Sequence, residues 1–257
     1  MNTAIINKVA HLLNQMDGIT PEAIQSAQLM RRRDTKYVLP LALLPELLEA
    51  VKADYYAMYV NDIRMMPYHT VYYDTPGYEM YLAHHNQRLN RYKIRRRTYE
   101  TNQLSFLEVK HKNNKGVTNK KRIAQDGKGE VYNAQFVAEN SPYDYKNIKP
   151  VLENRFLRIM LVNKHMAERV TIDLQLQFSR YKGAVQKQVP HLVIVEVKRD
   201  LDGPSTPMMA ALQEKRIKAL GFSKYCIGTA LLNSQVRVNL FKQKIRLLSK
   251  IEPNMQM

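Results

Sequence analysis

Residues 91–112 read RYKIRRRTYETNQLSFLEVKHK. Two strands are predicted here, at 91–100 and 105–112, because side chains alternate between the two faces of a strand. On the first, Lys93, Arg95 and Arg97 share a face; on the second, Glu108, Lys110 and Lys112 oppose Leu107 and Val109. Outward from this stretch the arrangement recurs. Arg32, Asp34 and Lys36 share a face in RRRDTKYVL, a strand ending at Pro40. Lys120 and Arg122 share a face in TNKKRIAQ (118–125), beyond a hairpin signal at NNKG (113–116). In ERVTIDLQLQF (168–178), Arg169, Thr171, Asp173, Gln175 and Gln177 oppose Val170, Ile172, Leu174, Leu176 and Phe178. In HLVIVEVKRD (191–200), Glu196 and Lys198 oppose Val193, Val195 and Val197. HTVYYDT (69–75) is a further strand.

A single such strand reads as a solvated sheet face. Six of them are another matter, since like charges facing one another on neighbouring strands are destabilising. A sheet with its basic faces together calls for a compensating anion. Closing the sheet into a barrel turns the apolar faces outward under helices and leaves a polar tunnel. The expected fold is α+β: an antiparallel eight-stranded β tunnel barrel with a polar basic interior and flanking helices. Arginine forks and lysine point charges suit a chain of phosphates. The interspersed carboxylates would hold Mg²⁺ or Mn²⁺, which take oxygen ligands and share them with phosphates.

The rest of the chain frames these strands. Residues 1–30 read as an N-terminal helical segment, broken at Asp17-Gly18 and resumed at Thr20-Pro21. Residues 31–228 form the tunnel domain, with helices predicted at LALLPELLEAVKADY (41–55) and PMMAALQEKRIKALG (207–221). Residues 229–257 carry a basic amphipathic helix, over 231–248, packed on the same domain. The 257 residues carry 40 Lys plus Arg against 23 Asp plus Glu, a formal charge of +17, which points to a polyanionic partner. One cysteine, Cys226, excludes an internal disulfide framework and fits a reducing compartment. No stretch is apolar enough to span a membrane and no secretory leader is read, so a cytoplasmic protein is expected. No histidine pair stands at metal spacing. Tyr72, Tyr73, Tyr78, Tyr81, Tyr92 and Tyr99 cluster near the basic strands, as packing aromatics or a surface for a base.

The order of R-x-D-x-K-Y (32–37), YYDTP (72–76), K-I-R-x-R (93–97), F-L-E-V-K (106–110), K-K-R (120–122), F-x-R (156–158), R-V-T-I-D (169–173), V-E-V-K (195–198) and F-S-K-Y (222–225) resembles the VTC (vacuolar transporter chaperone) catalytic domain. That family belongs to the triphosphate tunnel metalloenzyme, or CYTH-like, superfamily. The resemblance implies an ATP-dependent polyphosphate polymerase, passing the γ-phosphate of ATP to a growing chain and releasing ADP. It implies Lys36, Arg95, Arg97, Lys110 and Lys198 as catalytic cations. Arg32, Lys120, Arg122, Arg158, Arg169, Ser223 and Lys224 would hold phosphate. Glu196, with Glu108, Asp34 and Asp173, would hold Mn²⁺ or Mg²⁺. Two positions depart from the family pattern: Asp34 replaces a usual Glu, and Phe156, before an arginine read as helical, replaces a frequent Tyr.

There is no Walker-type loop and no kinase glycine loop. Alternatives are a triphosphatase or nucleotidyl cyclase of the same fold, or a non-catalytic polyanion-binding module. The E-x-E-x-K signature of the former is missing, with Arg32 where its first Glu would stand. The expected partners are ATP and inorganic polyphosphate, with no specific nucleic acid and a peripheral contact with a membrane protein if product is translocated. The sequence sets no oligomeric state.

Overall fold

The structure is a computed structural model, and it describes residues 2–25, 32–127, 129–183, 186–200 and 203–251, the side chains of Gln25, Arg32 and Gln186 excepted. In chain order the elements are α1 (Asn2–Gln15), β1 (Gly18–Ile19), α2 (Pro21–Gln25), β2 (Arg32–Pro40), α3 (Leu44–Val51), β3 (Tyr55–Met58), β4 (Met66–Asp74), α4 (Glu79–His85), β5 (Arg91–Tyr99), β6 (Leu104–Lys112) and β7 (Thr118–Ala124). Then come α5 (Glu130–Asn140), β8 (Lys149–Asn163), β9 (Glu168–Arg180), β10 (Gln186–Val189), β11 (Leu192–Asp200), α6 (Pro207–Glu214), α7 (Lys224–Leu232) and α8 (Lys242–Ile251).

The sheet runs β2-β11-β9-β8-β4-β5-β6-β7, each neighbour antiparallel. It curls so that side chains of its two end strands, β2 and β7, line one cavity. Those two strands exchange no ladder among the described residues. The edge of β2 is instead covered by the segment before α7, where Leu220 N donates to Lys36 O at 2.7 Å. The alternation sends apolar residues to the convex side as expected. Val170, Ile172, Leu174, Val193, Val195 and Val197 pack with Val9 and Leu13 of α1, Leu44 and Leu48 of α3 and Met208 of α6. Ile94, Leu107 and Val109 pack with Phe136 and Val137 of α5.

Several expectations are corrected. Phe156 and Arg158 lie on β8, a 15-residue strand, and not on a helix. The helix expected at 207–221 ends at Glu214. The helix expected at 231–248 is two: α7 ends at Leu232, and α8 starts at Lys242. The alternation of β9 does not hold to its end. Gln175 adopts φ 52°, and the β8–β9 register slips between Arg155 and Leu157, the signature of a bulge. Past it, Leu176 and Phe178 leave the convex cluster containing Leu174 and join the one containing α7.

That bulge lets α7 settle against β8 and β9. A Cβ on Gly228 would lie 2.5 Å from Phe178 Cδ1 and 2.9 Å from Leu152 Cδ2, so the helix approaches as closely as a bare backbone permits. Ile245, Leu248 and Ile251 of α8 pack on the same cluster. Its basic side chains Lys242, Arg246 and Lys250 point to solvent.

Candidate active site

The register of β5, β6 and β7 stacks the basic residues in rows across the sheet. Arg91 faces Lys112, which faces Thr118; Lys93 faces Lys110, which faces Lys120; Arg95 faces Glu108, which faces Arg122; Arg97 faces Phe106. On the other wall Lys36 faces Glu196, which faces Thr171, and Asp34 faces Lys198, which faces Arg169. Asp173 faces Arg158. The rows from Lys93 to Arg97 on one wall and the rows of Lys36, Asp34 and Asp173 on the other meet around a cavity of about 940 Å³.

Of the residues expected in the site, Asp34, Lys36, Arg95, Arg97, Lys110, Lys120, Arg122, Arg158, Arg169, Asp173, Glu196, Lys198, Ser223 and Lys224 all line this cavity. Glu108 sits in its wall, fully buried behind Arg95 and Lys120. Arg32 begins β2, and its side chain lies outside the described residues. Arg169 reaches the cavity while its Nη2 donates to Ile24 O at 2.7 Å, tying the wall to α2.

Three carboxylates are each spanned by two cations. Glu108 takes Arg95 Nη2 at 2.6 Å on Oε2 and Lys120 Nζ at 3.1 Å on Oε1. Asp173 takes Arg158 as a fork, Nε at 2.6 Å and Nη2 at 2.7 Å, and Lys224 on Oδ2. Glu196 takes Lys36 on Oε1 and Lys198 at 2.7 Å on Oε2. Burial pushes all three acids up, yet their cations hold each well below the usual carboxylate range. They are ionised at any physiological pH.

The lysine row is different. Lys93 and Lys110 have no carboxylate bonded to them among the described residues, and Lys93 Nζ donates instead to Ser223 Oγ at 3.0 Å. Burial, then the neighbouring Lys93 and Lys36, pushes Lys110 down to about 8. Lys93 is lowered by burial as well, with Lys36 and Arg95 adding to it. Lys224 falls to about 8, burial and Arg158 outweighing Asp173. Positive charge crowded without enough acid is what an incoming polyanion relieves.

Ser223 caps α7, its Oγ accepting from Cys226 N at 3.2 Å as well as from Lys93. Both lone pairs are then engaged, so its one proton remains to donate into the cavity. The first turn of α7 is anchored from behind by Asp74. That fully buried carboxylate accepts from Thr75 N, Met80 N and Tyr81 N at 2.8–3.0 Å and from the Tyr225 hydroxyl.

Sequence reasoning missed Lys93, although it shares a face with Arg95 and Arg97 and period two alone marked it. It missed the site positions of Tyr68 and Phe222, which line the cavity together with Tyr72 and Tyr99 of the expected aromatic cluster. Tyr68 and Phe156 lie under the cations: Lys224 Nζ is 4.2 Å from the Phe156 ring centre and Arg158 Cζ is 5.0 Å from that of Tyr68. No sequence signal put those rings beneath these charges.

No metal cage is preformed among the described residues. No three His, Cys, Asp or Glu side chains converge among the described residues. Each buried carboxylate of the cavity has both oxygens engaged by cations, so Glu196, Glu108 and Asp173 form no cage by themselves, and Asp34 lines the cavity in register with Lys198.

The fold and site define an α+β protein whose curled antiparallel sheet encloses a basic, cation-rich cavity. The VTC domain family model matches residues 31–233, and the chain belongs to that family. No curated protein matches it. Among solved structures it is similar to a Vibrio parahaemolyticus protein for which adenylate cyclase activity has been suggested, at 14% identity and TM-score 0.47, over 78% of this chain and 99% of that one. It is also similar to HpAC1 of Hippeastrum, a suggested adenylyl cyclase with a dominant triphosphatase activity, at 15% identity and TM-score 0.48, over 80% and 98%. No helix among the described residues is long and apolar enough to cross a membrane.

Proposed function

We propose that this protein is an ATP-dependent polyphosphate polymerase. The reading is carried by the row Lys93–Lys110–Lys120, flanked by Ser223 and Lys36, in which Lys93 and Lys110 have no bonded carboxylate among the described residues. Such a row costs the empty protein repulsion that a terminal phosphate removes.

Phosphoryl transfer needs little covalent help from the protein; it needs alignment and neutralisation of charge on the moving group. The γ-phosphoryl would sit against the lysine row, with Ser223 donating its hydroxyl proton to one oxygen. Arg97, Arg95 and Arg158 would grip the α- and β-phosphates. The terminal oxygen of a phosphate chain attacks the γ-phosphorus, the bond to the bridging oxygen of the β-phosphate breaks, and ADP leaves with that electron pair. The acceptor oxygen is already anionic, so no general base is required. A divalent ion would arrive as the counter-ion of the nucleotide substrate, which is how Mg²⁺ and Mn²⁺ commonly enter phosphate sites.

The test is to incubate the purified protein with ATP and Mn²⁺ or Mg²⁺ and to size the products. Long polymer is expected, with one ADP released for each phosphate incorporated. Release of free phosphate alone would replace the polymerase with a triphosphatase, and cyclic nucleotide would replace it with a cyclase.

A further inference from the structure

The two mouths of the passage differ chemically. Along β5 the inward residues run Arg91, Lys93, Arg95, Arg97 and Tyr99, and their partners on β6 run Lys112, Lys110, Glu108, Phe106 and Leu104. Beyond Lys93 the bore opens into a second cavity of about 450 Å³, which shares Lys36, Lys93, Lys110 and Ser223 with the first. It adds Arg91, Lys112 and, from α8, Lys244, and the one carboxylate lining it among the described residues is Asp34, shared with the first cavity. At the opposite end the rim is aromatic and apolar. Tyr99 and Phe106 lie 5.7 Å apart, Leu104 is 51% exposed, and the Arg122 guanidinium lies 4.5 Å over the Phe106 ring.

We propose that the passage has a direction: the base of a nucleoside triphosphate rests on the Tyr99–Phe106–Arg122 rim, and the phosphate chain runs past the lysine row into the Arg91–Lys112–Lys244 vestibule. This rests on the proposed reaction and deepens it. An uncharged purine gains from stacking on rings and on a guanidinium, and gains little among bare ammonium groups. A phosphate chain has no apolar part and gains only where cations outnumber acids. Tyr99 stands six positions beyond Lys93, roughly 20 Å along the strand. An extended nucleotide, met by the reach of a lysine side chain, spans that interval.

The test is calorimetric binding of ATP, tripolyphosphate and long-chain polyphosphate to four proteins: wild type, Phe106→Leu, Tyr99→Leu and the double variant Lys112→Gln/Lys244→Gln. Each rim variant is expected to weaken ATP roughly 10-fold while leaving tripolyphosphate within about twofold, the usual size of one lost stacking partner. The double variant is expected to weaken the long chain and flatten its salt dependence while sparing ATP and tripolyphosphate. Retained tripolyphosphate affinity reports an intact bore, and two rim positions guard against one that disturbs packing. An unchanged ratio of ATP to tripolyphosphate affinity in both rim variants would overturn the proposal. So would equal weakening of ATP and long chain in the double variant. None of these readings requires turnover, so absence of polymer would count against the reaction and leave the direction standing.

Discussion

Phosphate binding by this bore is predicted to be linked to proton uptake, through Lys110 and Lys224. Lowering Lys110 from 10.5 to about 8 corresponds to about 3 kcal/mol held against its charged form. Lys224 is lowered from the same reference value to a similar level. A lysine lowered in the fold binds fewer protons there than in the unfolded chain between about pH 8 and 10.5. These two groups therefore add stability as pH rises through that window, and below it their charge weighs against the empty fold. A bound triphosphate reverses the balance and draws both back toward full protonation. At pH 7 both are already charged and little proton should move. At pH 9 each is about one-tenth charged, so binding should take up close to one proton per lysine, and affinity should fall about 100-fold between pH 7 and 9. Calorimetry of tripolyphosphate in two buffers of different ionisation enthalpy measures both quantities. The ligand's own titration is common to all variants, so the informative number is the difference from Lys110→Met, which should take up about one proton fewer at pH 9. The same variant should bind tripolyphosphate more weakly yet melt higher than wild type at pH 7, because it removes a charge from the crowded row. Equal proton uptake by wild type and Lys110→Met, or a lower melting temperature for the variant, would refute the reading of the row as stored repulsion.

Glu196→Gln should abolish turnover, lower the melting temperature of the empty protein by stripping Lys36 and Lys198 of their partner, and leave tripolyphosphate affinity equal or higher; thermal shifts with and without tripolyphosphate check this. Gly228→Ala should cost about 1–3 kcal/mol by overpacking against Phe178 and Leu152, read as a fall in denaturation midpoint, and a neutral result would show that α7 stands further off β8 and β9. In equilibrium dialysis the protein alone should retain no Mn²⁺ at micromolar concentration and should retain it once tripolyphosphate is added, since the carboxylate oxygens are engaged by cations; retention by the protein alone would show a preformed metal site.

The period-two pattern was legible because it is local. Alternation on a strand needs only neighbouring residues, so the faces bearing Lys36, Arg95, Lys110 and Lys198 could be read without any partner. β8 was not legible in that way: its 15 residues from Lys149 mix charge and apolar side chains on both faces, being packed beneath α7 on one stretch and lining the bore on another. The slip at Gln175 was equally hidden, since a bulge belongs to the pairing of two strands and not to either alone.

What the chain order determined, then, was a set of one-sided basic strands and the excess of positive charge they carry. What only the tertiary structure decided was which charges neutralise one another. Lys36 and Glu196 stand 160 positions apart, and Asp173 and Lys224 stand 51 apart. Cross-strand register, set by packing on the convex side, brings those pairs together and leaves Lys93 and Lys110 without a bonded acid among the described residues. Electrostatic partnership depends on separation in space, burial and strand pairing, and none of these is a property of a residue's neighbours along the chain.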